Sequence, residues 1–489
     1  MINKLKNISI ALLSFAMMVG CDSLFDVNED PNNPTDANVE QILPVAQAAL
    51  AGAFGDDYNF VACMWAQYWT SGQTIALTQL ENFTMLNSNI RDAFNQAYAR
   101  TLTDLQVLTK SEETLYSGIA KIMTAYTMQV LVDLHGDVPY SEAISGSIED
   151  GGIAAPKYDD DQEIYDQLIP LIDEALTELE ASSGLLKQPG SEDLVYSGDL
   201  ENWKAFANTL KLRILVRQSQ VDGAKLQAAL DLMNSGVDFI DESNPAEIYF
   251  DGSTNGTSYP FYARFESRTA TGMYMRASQT SIQYLLDTFD PRLSKIYDEG
   301  TEPWKGYNQG QSQLDYAGQS DNEFAQPNSD YVYASDVNFI MISAWDSKFM
   351  QAEVLARTGN PGAEALWEEA IQASMNYFDV SAAQATGYIN NQTFGATLQD
   401  QLESIALQKW VAHNGTEYIE SWIEARRFDV ETTNDIIFRG AGGLFYTPSG
   451  TSLPANTFPS RFLYSQTEVD LNPNTPSGLT VTDKVFWDN

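Results

Sequence analysis

Cysteine and histidine are nearly absent from this 489-residue chain, which has two of each. The histidines, His135 and His413, lie far apart, and only Cys63 stands outside the N-terminal segment, so no zinc ligand set is visible and a His-dependent triad has weak footing. A disulfide framework is excluded as well, and stability must come from packing. Cys63 sits in the apolar run Val61-Ala-Cys-Met-Trp65 and reads as a small core residue, with nothing nearby to make it a nucleophile. Basic residues are scarce: 27 Lys and Arg face 67 Asp and Glu, for a net charge of −40. Such a surface repels nucleic acid and anionic lipid, so neither is expected as a partner. Long hydrophobic runs are missing too. The N-terminal run from Ile8 to Val19 is about a dozen residues, short of the ~20 needed to cross a bilayer.

That short run is nevertheless informative. Lys4 and Lys6 precede it, and the small residue Gly20 leads from it into Cys21. This is the pattern of an export signal ending at a lipoprotein-type cleavage site. Residues 1–20 are therefore expected to be removed and Cys21 to be acylated; several acyl chains hold a protein on a membrane firmly where one does not. Residues 21–38 read as a lipidated flexible tether, since Asp30-Pro-Asn-Asn-Pro-Thr35 is turn-rich. The rest, 39–489, is long enough for a deep core and is expected to form a single body.

Along that body the pattern alternates between helix and loop. From Val39 to about Leu134 the chain is helical in character, and Ile119, Ile122, Met123, Tyr126, Val130 and Leu134 follow helical spacing. Helices are expected at 161–181, at 199–220 with Asp199 as N-cap, and at 223–234. Two further pairs follow, 344–358 with 362–378 and 398–413 with 416–427. The helical scaffold is thus assigned to 39–235 and 341–430. Residues 236–340 are rich in Gly, Asn, Ser, Thr, Tyr and Pro and read as loop and short strand, with a helical patch near 278–289. Residues 431–489 read as irregular. The fold class is mainly α: degenerate tetratricopeptide-like hairpins, without a clean repeat signature, interrupted by a long loop-rich region. That region has too many aromatics to be disordered, and long loops in compact proteins tend to carry function.

Several segments carry a family likeness, in chain order. Leu131-Val-Asp-Leu-His-Gly-Asp-Val-Pro-Tyr-Ser-Glu-Ala143 resembles the helix-ending motif of the SusD/RagB outer-membrane lipoproteins, and Asp30-Pro-Asn-Asn-Pro-Thr35 resembles the mature N-terminus of their SusD-like branch. Phe289-Asp-Pro-Arg-Leu-Ser-Lys-Ile-Tyr297 and Gln408–Trp422, followed by Glu424-Ala-Arg-Arg427, resemble two later segments. Ala425 departs from the pattern, where an aromatic is common, as does Phe428-Asp-Val-Glu431. The resemblance implies a non-catalytic surface protein that binds oligosaccharides, or in some branches peptides. It implies a SusC-like TonB-dependent outer-membrane transporter as partner and the loop-rich region as the ligand site. The acidic stretch after Cys21 is similar to a surface-export signal of Bacteroidota-type bacteria. The expected location is the outer membrane, lipid-anchored and exposed at the cell surface.

The candidate chemistry is read with its bland alternative. His135-Gly-Asp-Val-Pro-Tyr140 joins a histidine to an aspartate, but family members carry an aromatic at the histidine position, so a helix stop with Gly136 as cap is preferred. His413 reads as a helix-end residue. No spacing among the carboxylates selects a glycosidase pair, so a surface glycosidase stands only as a lesser alternative and no enzyme activity is expected. Asp159-Asp-Asp-Gln-Glu163 lacks the glycine and ligand spacing of a calcium loop and reads as a helix cap; a structural calcium has no specific motif, and no cofactor or other metal is expected. Arg426-Arg427 is read as a salt-bridge pair. Aromatics remain, because sugars stack their C–H faces on rings while their hydroxyls meet polar groups. Trp65 and Trp69 are four apart, on one helix face, with core packing as the alternative. Trp304, Tyr307 and Tyr316 lie in polar loop sequence. These five residues are the expected ligand contacts, with Trp304 and Trp69 foremost.

Overall fold

Asn38 begins the body by accepting the Glu40 backbone N–H, which caps the Val39–Ala53 helix. The computed structural model describes residues 38–74, 78–143, 153–181, 185–254, 256–268, 273–430 and 435–488. The export segment, Cys21 and the tether lie outside the described residues. Helices dominate, and their ends follow local chemistry. Asp160, Asp199 and Asp222 each cap the helix that follows: Asp161–Leu179, Leu200–Gln218 and Gly223–Asn234. Ser343 opens Ala344–Thr358, and Gly359, at φ +66°, closes it before Ala363–Tyr377. Thr114–His135 ends where Gly136 takes φ +75°, so the motif around His135 is a helix stop.

The helices stack as irregular hairpins. Thr114–His135 packs on Asp161–Leu179, and Ala344–Thr358 packs on both Ala363–Tyr377 and Leu398–His413. Gly118 permits the first of these contacts, since a Cβ there would lie 2.9 Å from Leu179 Cδ2. Among the described residues, the strands form three antiparallel two-stranded ribbons, with isolated bridges besides. They pair Trp69–Ser71 with Met275–Ala277, Ala246–Ile248 with Phe339–Ile342, and Tyr297–Asp298 with Gln326–Pro327. The first two tie the loop-rich segment to segments of the helical scaffold. The irregular C-terminal segment is also wound onto that core: Phe462 meets Trp65 and Trp422 at 5.0 Å each, and Trp487 Nε1 donates to Asp133 Oδ1 at 2.7 Å.

The helix centres hold charge as well as hydrocarbon. Arg213 pairs with Asp346 at 2.7 Å, Lys409 with Asp346 at 2.8 Å and Glu424 at 2.7 Å, and Arg427 with Glu353 at 2.5 Å and Glu424 at 2.7 Å. All are buried. This is why Leu200–Gln218 has no clean apolar stripe: Arg213 and Arg217 are buried along with Trp203, Phe206 and Ile214. The expected arginine pair splits in role. Arg427 forms ion pairs, while Arg426 donates to the carbonyls of Asp133 and Ser460 and lies over Trp422 at 4.0 Å and Trp487 at 4.6 Å.

One expected element is corrected. Trp65 and Trp69 do not share a helix face, because the helix Asn59–Trp65 ends at Trp65 and Trp69 opens a strand. Gln67, at φ +57°, turns the chain between them.

Candidate ligand-binding site

The loop-rich segment is bolted to the scaffold at the turn after Trp69–Ser71. Two carboxylates brace that turn, Glu81 from the scaffold and Asp321 from the loop-rich segment. Glu81, fully buried, accepts from Thr70 Oγ1 at 2.7 Å, from Ser71 Oγ at 2.8 Å and from the Ser71 backbone N–H. Burial pushes its pKa up against those hydrogen bonds. Asp321 accepts from Gln73 N at 2.7 Å, from Thr74 N at 2.9 Å, from Thr74 Oγ1 at 2.6 Å and from the Tyr307 hydroxyl at 2.9 Å. Burial raises its pKa, but the bonds from Thr74, Gln73 and Tyr307 together outweigh it and hold the carboxyl below its usual range. Gly72 allows this approach, because a Cβ there would lie 2.6 Å from Asp321 Oδ1.

A second set of bonds fixes the loop that bears the aromatics. Tyr307 N donates to Ala277 O at 3.0 Å, Gln279 N to Tyr307 O at 2.7 Å and Ala325 N to Lys305 O at 2.8 Å. Lys305 Nζ meets Gln319 at 2.7 Å and lies over the Phe324 ring at 4.5 Å. The Tyr307 ring stacks on Phe324 at 3.5 Å, and Tyr316 meets both edge-on at 5.1 and 5.4 Å. Trp304 sits at φ +45°, a left-handed conformation that costs a non-glycine residue about 1 kcal/mol. Its ring is half-buried, as is that of Tyr316. Three chain segments thus converge here, since Gln313 donates to Gln73 O at 2.9 Å and Ser449 to Gln311 at 2.7 Å.

The five expected contacts therefore divide. Trp304 and Tyr316 keep partly open rings on one fixed loop. Tyr307 is fully buried and serves that loop from beneath. Trp65 and Trp69 are corrected to core residues. Trp65 packs on Trp422 at 5.3 Å and donates to Leu80 O at 3.0 Å; Trp69 stacks on Phe261 at 5.1 Å and is 0 % exposed. Sequence reasoning missed Glu81 and Asp321, which carry no motif. It also missed Tyr262 and Tyr333, half-buried rings 4.9 Å apart.

Neither histidine is placed for chemistry. His135 and His413 are both fully buried, and burial pushes His135 down to about 3. The carboxylates of Asp137, Asp160 and Asp161 approach one another within 4.8 Å. All three are already engaged by the fold. Asp160 caps its helix, Asp137 accepts from Asp161 N at 3.1 Å, and Asp161 accepts from Phe486 N at 2.9 Å. Burial, reinforced by Asp137 and Asp160, pushes Asp161 up to about 6 against that Phe486 bond.

A scaffold of stacked helical hairpins that fixes an aromatic-bearing loop places the protein in the helical-repeat class. More narrowly, the chain belongs to the SusD-like family: the family model described as "Starch-binding associating with outer membrane" matches residues 31–437. Proteins of this family bind rather than catalyse, and this chain is not an enzyme. Solved structures agree on the fold. A chitin-binding protein superposes with a TM-score of 0.76 at 24 % identity, covering 92 % of this chain and 100 % of that one. A chitin-binding SusD homolog from Flavobacterium johnsoniae gives 0.73 at 20 % identity, covering 91 % and 98 %. A SusD homolog from Bacteroides uniformis gives 0.73 at 20 % identity, covering 92 % and 99 %. A search of curated proteins found no similar sequence. No described helix is long and apolar enough to cross a membrane.

Proposed function

We propose that the protein is a cell-surface lipoprotein, anchored through Cys21, that binds oligosaccharides and passes them to a SusC-like TonB-dependent outer-membrane transporter. The family match over residues 31–437 carries this reading. The Trp304 loop supports it physically: a half-buried ring in a strained, multiply bonded loop is a pre-set stacking surface, with Tyr316, Lys305 and Gln313 in the same loop. Pre-organisation of this kind lowers the ordering cost of binding a flexible sugar chain.

Titration calorimetry with chitohexaose and maltohexaose tests the reading. One of them binds, and Trp304→Ala weakens that binding roughly tenfold or more, about 1.4 kcal/mol. The variant stays folded, because the Trp304 ring is half-buried against the edge of the core rather than sealed inside it. Binding of peptides with no response to any oligosaccharide overturns the substrate class.

A further inference from the structure

A cavity with no residue of the Trp304 loop in its lining is bounded by acid and aromatic groups. It has a volume of about 320 Å³ and lies where Ala246–Ile248 and Phe339–Ile342 meet Ala344–Thr358 and Ala363–Tyr377. Its lining includes Glu242, Glu247, Trp345, Asn376 and Tyr377 and contains no Lys, Arg or His. Trp345 and Tyr377 meet edge-on at 5.1 Å and 61°. Trp345 is only 4 % exposed, yet its indole N–H has no acceptor among the described residues. A buried donor left unpaired costs on the order of 1–3 kcal/mol, so one beside a cavity is a group waiting for an acceptor. Glu242 lies at the exposed rim, where its Oε2 accepts from Asn376 Nδ2 at 2.7 Å. Glu247 lies deeper; burial raises its pKa, opposed only by the Asn338 side chain and by no cation.

Each feature asks for the same complement. Two carboxylates without a basic neighbour attract a positive charge, and aromatic faces add cation–π attraction worth ~0.5–2 kcal/mol. The indole N–H asks for an oxygen on the same ligand. The interior charge clusters differ, because there each carboxylate already meets an Arg or Lys. We propose that this cavity binds a protonated organic amine that also carries an oxygen acceptor, with Glu247 and Glu242 taking the ammonium and Trp345 Nε1–H the oxygen. An amino sugar with a free amine and a lysine-type side chain both present this chemistry.

Matched pairs test the proposal by titration calorimetry at neutral pH and low salt. One pair is glucosamine against glucose; the other is Nα-acetyl-lysine amide against Nα-acetyl-norleucine amide. The ammonium member of at least one pair binds roughly tenfold tighter than its neutral partner, and added salt weakens that preference. The pair that shows it identifies the source. Glu247→Gln removes most of the preference; Glu242→Gln, at the exposed rim, removes part of it and serves as the test should the deeper variant fail to fold. Equal binding within both pairs, no binding of either ammonium compound, or a preference that survives both variants overturns the proposal. Glu247 lies outside the Trp304 loop, so the result is independent of the oligosaccharide reading.

Discussion

The imidazole of His135 is sealed among rings. Its Nε2 meets the Tyr58 hydroxyl at 2.8 Å, Phe94 and Phe462 lie edge-on at 5.3 and 6.2 Å, and Tyr464 stacks at 5.9 Å. Burial, helped by the charge of Arg461, pushes its pKa from 6.5 to about 3. The unfolded chain therefore takes up a proton near pH 6.5 that the folded chain refuses until about pH 3. Stability is intact above pH 6.5 and is lost progressively as pH falls through that window, by on the order of 5 kcal/mol from this residue. His135→Phe keeps a ring at this position and removes the titrating group. At pH 7 it should cost about 1–2 kcal/mol, because the Tyr58 hydroxyl loses its partner. Between pH 6.5 and 3 its stability should fall less than that of the parent. Urea unfolding across a pH series measures both, and an unchanged acid slope would sink the assignment. The helix stop after His135 was legible from Gly136 and Pro139, but the fate of single aromatics was not. Trp65, Trp69, Tyr307 and Trp304 all lie in sequence that permits either burial or exposure. Only the long-range partners Trp422, Phe261 and Phe324 decide between them.

Helices declare themselves where their ends carry chemistry. Gly359-Asn-Pro361 and the Gly223–Asn234 segment have stop or cap residues at fixed offsets, and the structure places those boundaries as read. The turn at Gln67 is different. No glycine, proline or asparagine marks Met64–Trp69, so the local pattern extends the helix while tertiary contacts bend the backbone. The same limit hides the pairing between helices. Nothing local shows that Arg427 will meet Glu353, seventy-four positions away in the chain, at 2.5 Å. That contact couples Tyr418–Phe428 to Ala344–Thr358. Removing one side of a buried pair strands the other charge, so Arg427→Met should lower unfolding free energy by about 3–5 kcal/mol. Glu353→Gln combined with Arg427→Met should cost clearly less than the two single changes added together. Chemical denaturation of the four proteins closes this cycle; strict additivity would mean that the pair contributes only packing.

For the whole molecule, the decisive features are charge, core and anchor. The acidity behind the full chain's net charge of −40 keeps the body away from an anionic bilayer. The core is shared by helical, loop-rich and C-terminal segments, as the contacts of Trp65 with Trp422 and Phe462 and of Trp69 with Phe261 show. In the proposed function, a body that its own charge repels from the membrane depends on Cys21 to stay beside its transporter. Cys21→Ala tests that dependence without touching the fold, because the described body begins seventeen positions later, at Asn38. Purified, the variant should bind the same oligosaccharide with unchanged affinity. In cells it should leave the membrane fraction, and growth on that oligosaccharide at limiting concentration should fall. Tethering holds a partner at an effective concentration near millimolar for a short flexible linker, which a released protein cannot reach by diffusion. Fractionation, calorimetry and growth curves read the three outcomes separately. Full growth with the protein wholly released would show that capture works without the anchor, and the tethered reading would then fail while the binding site stood.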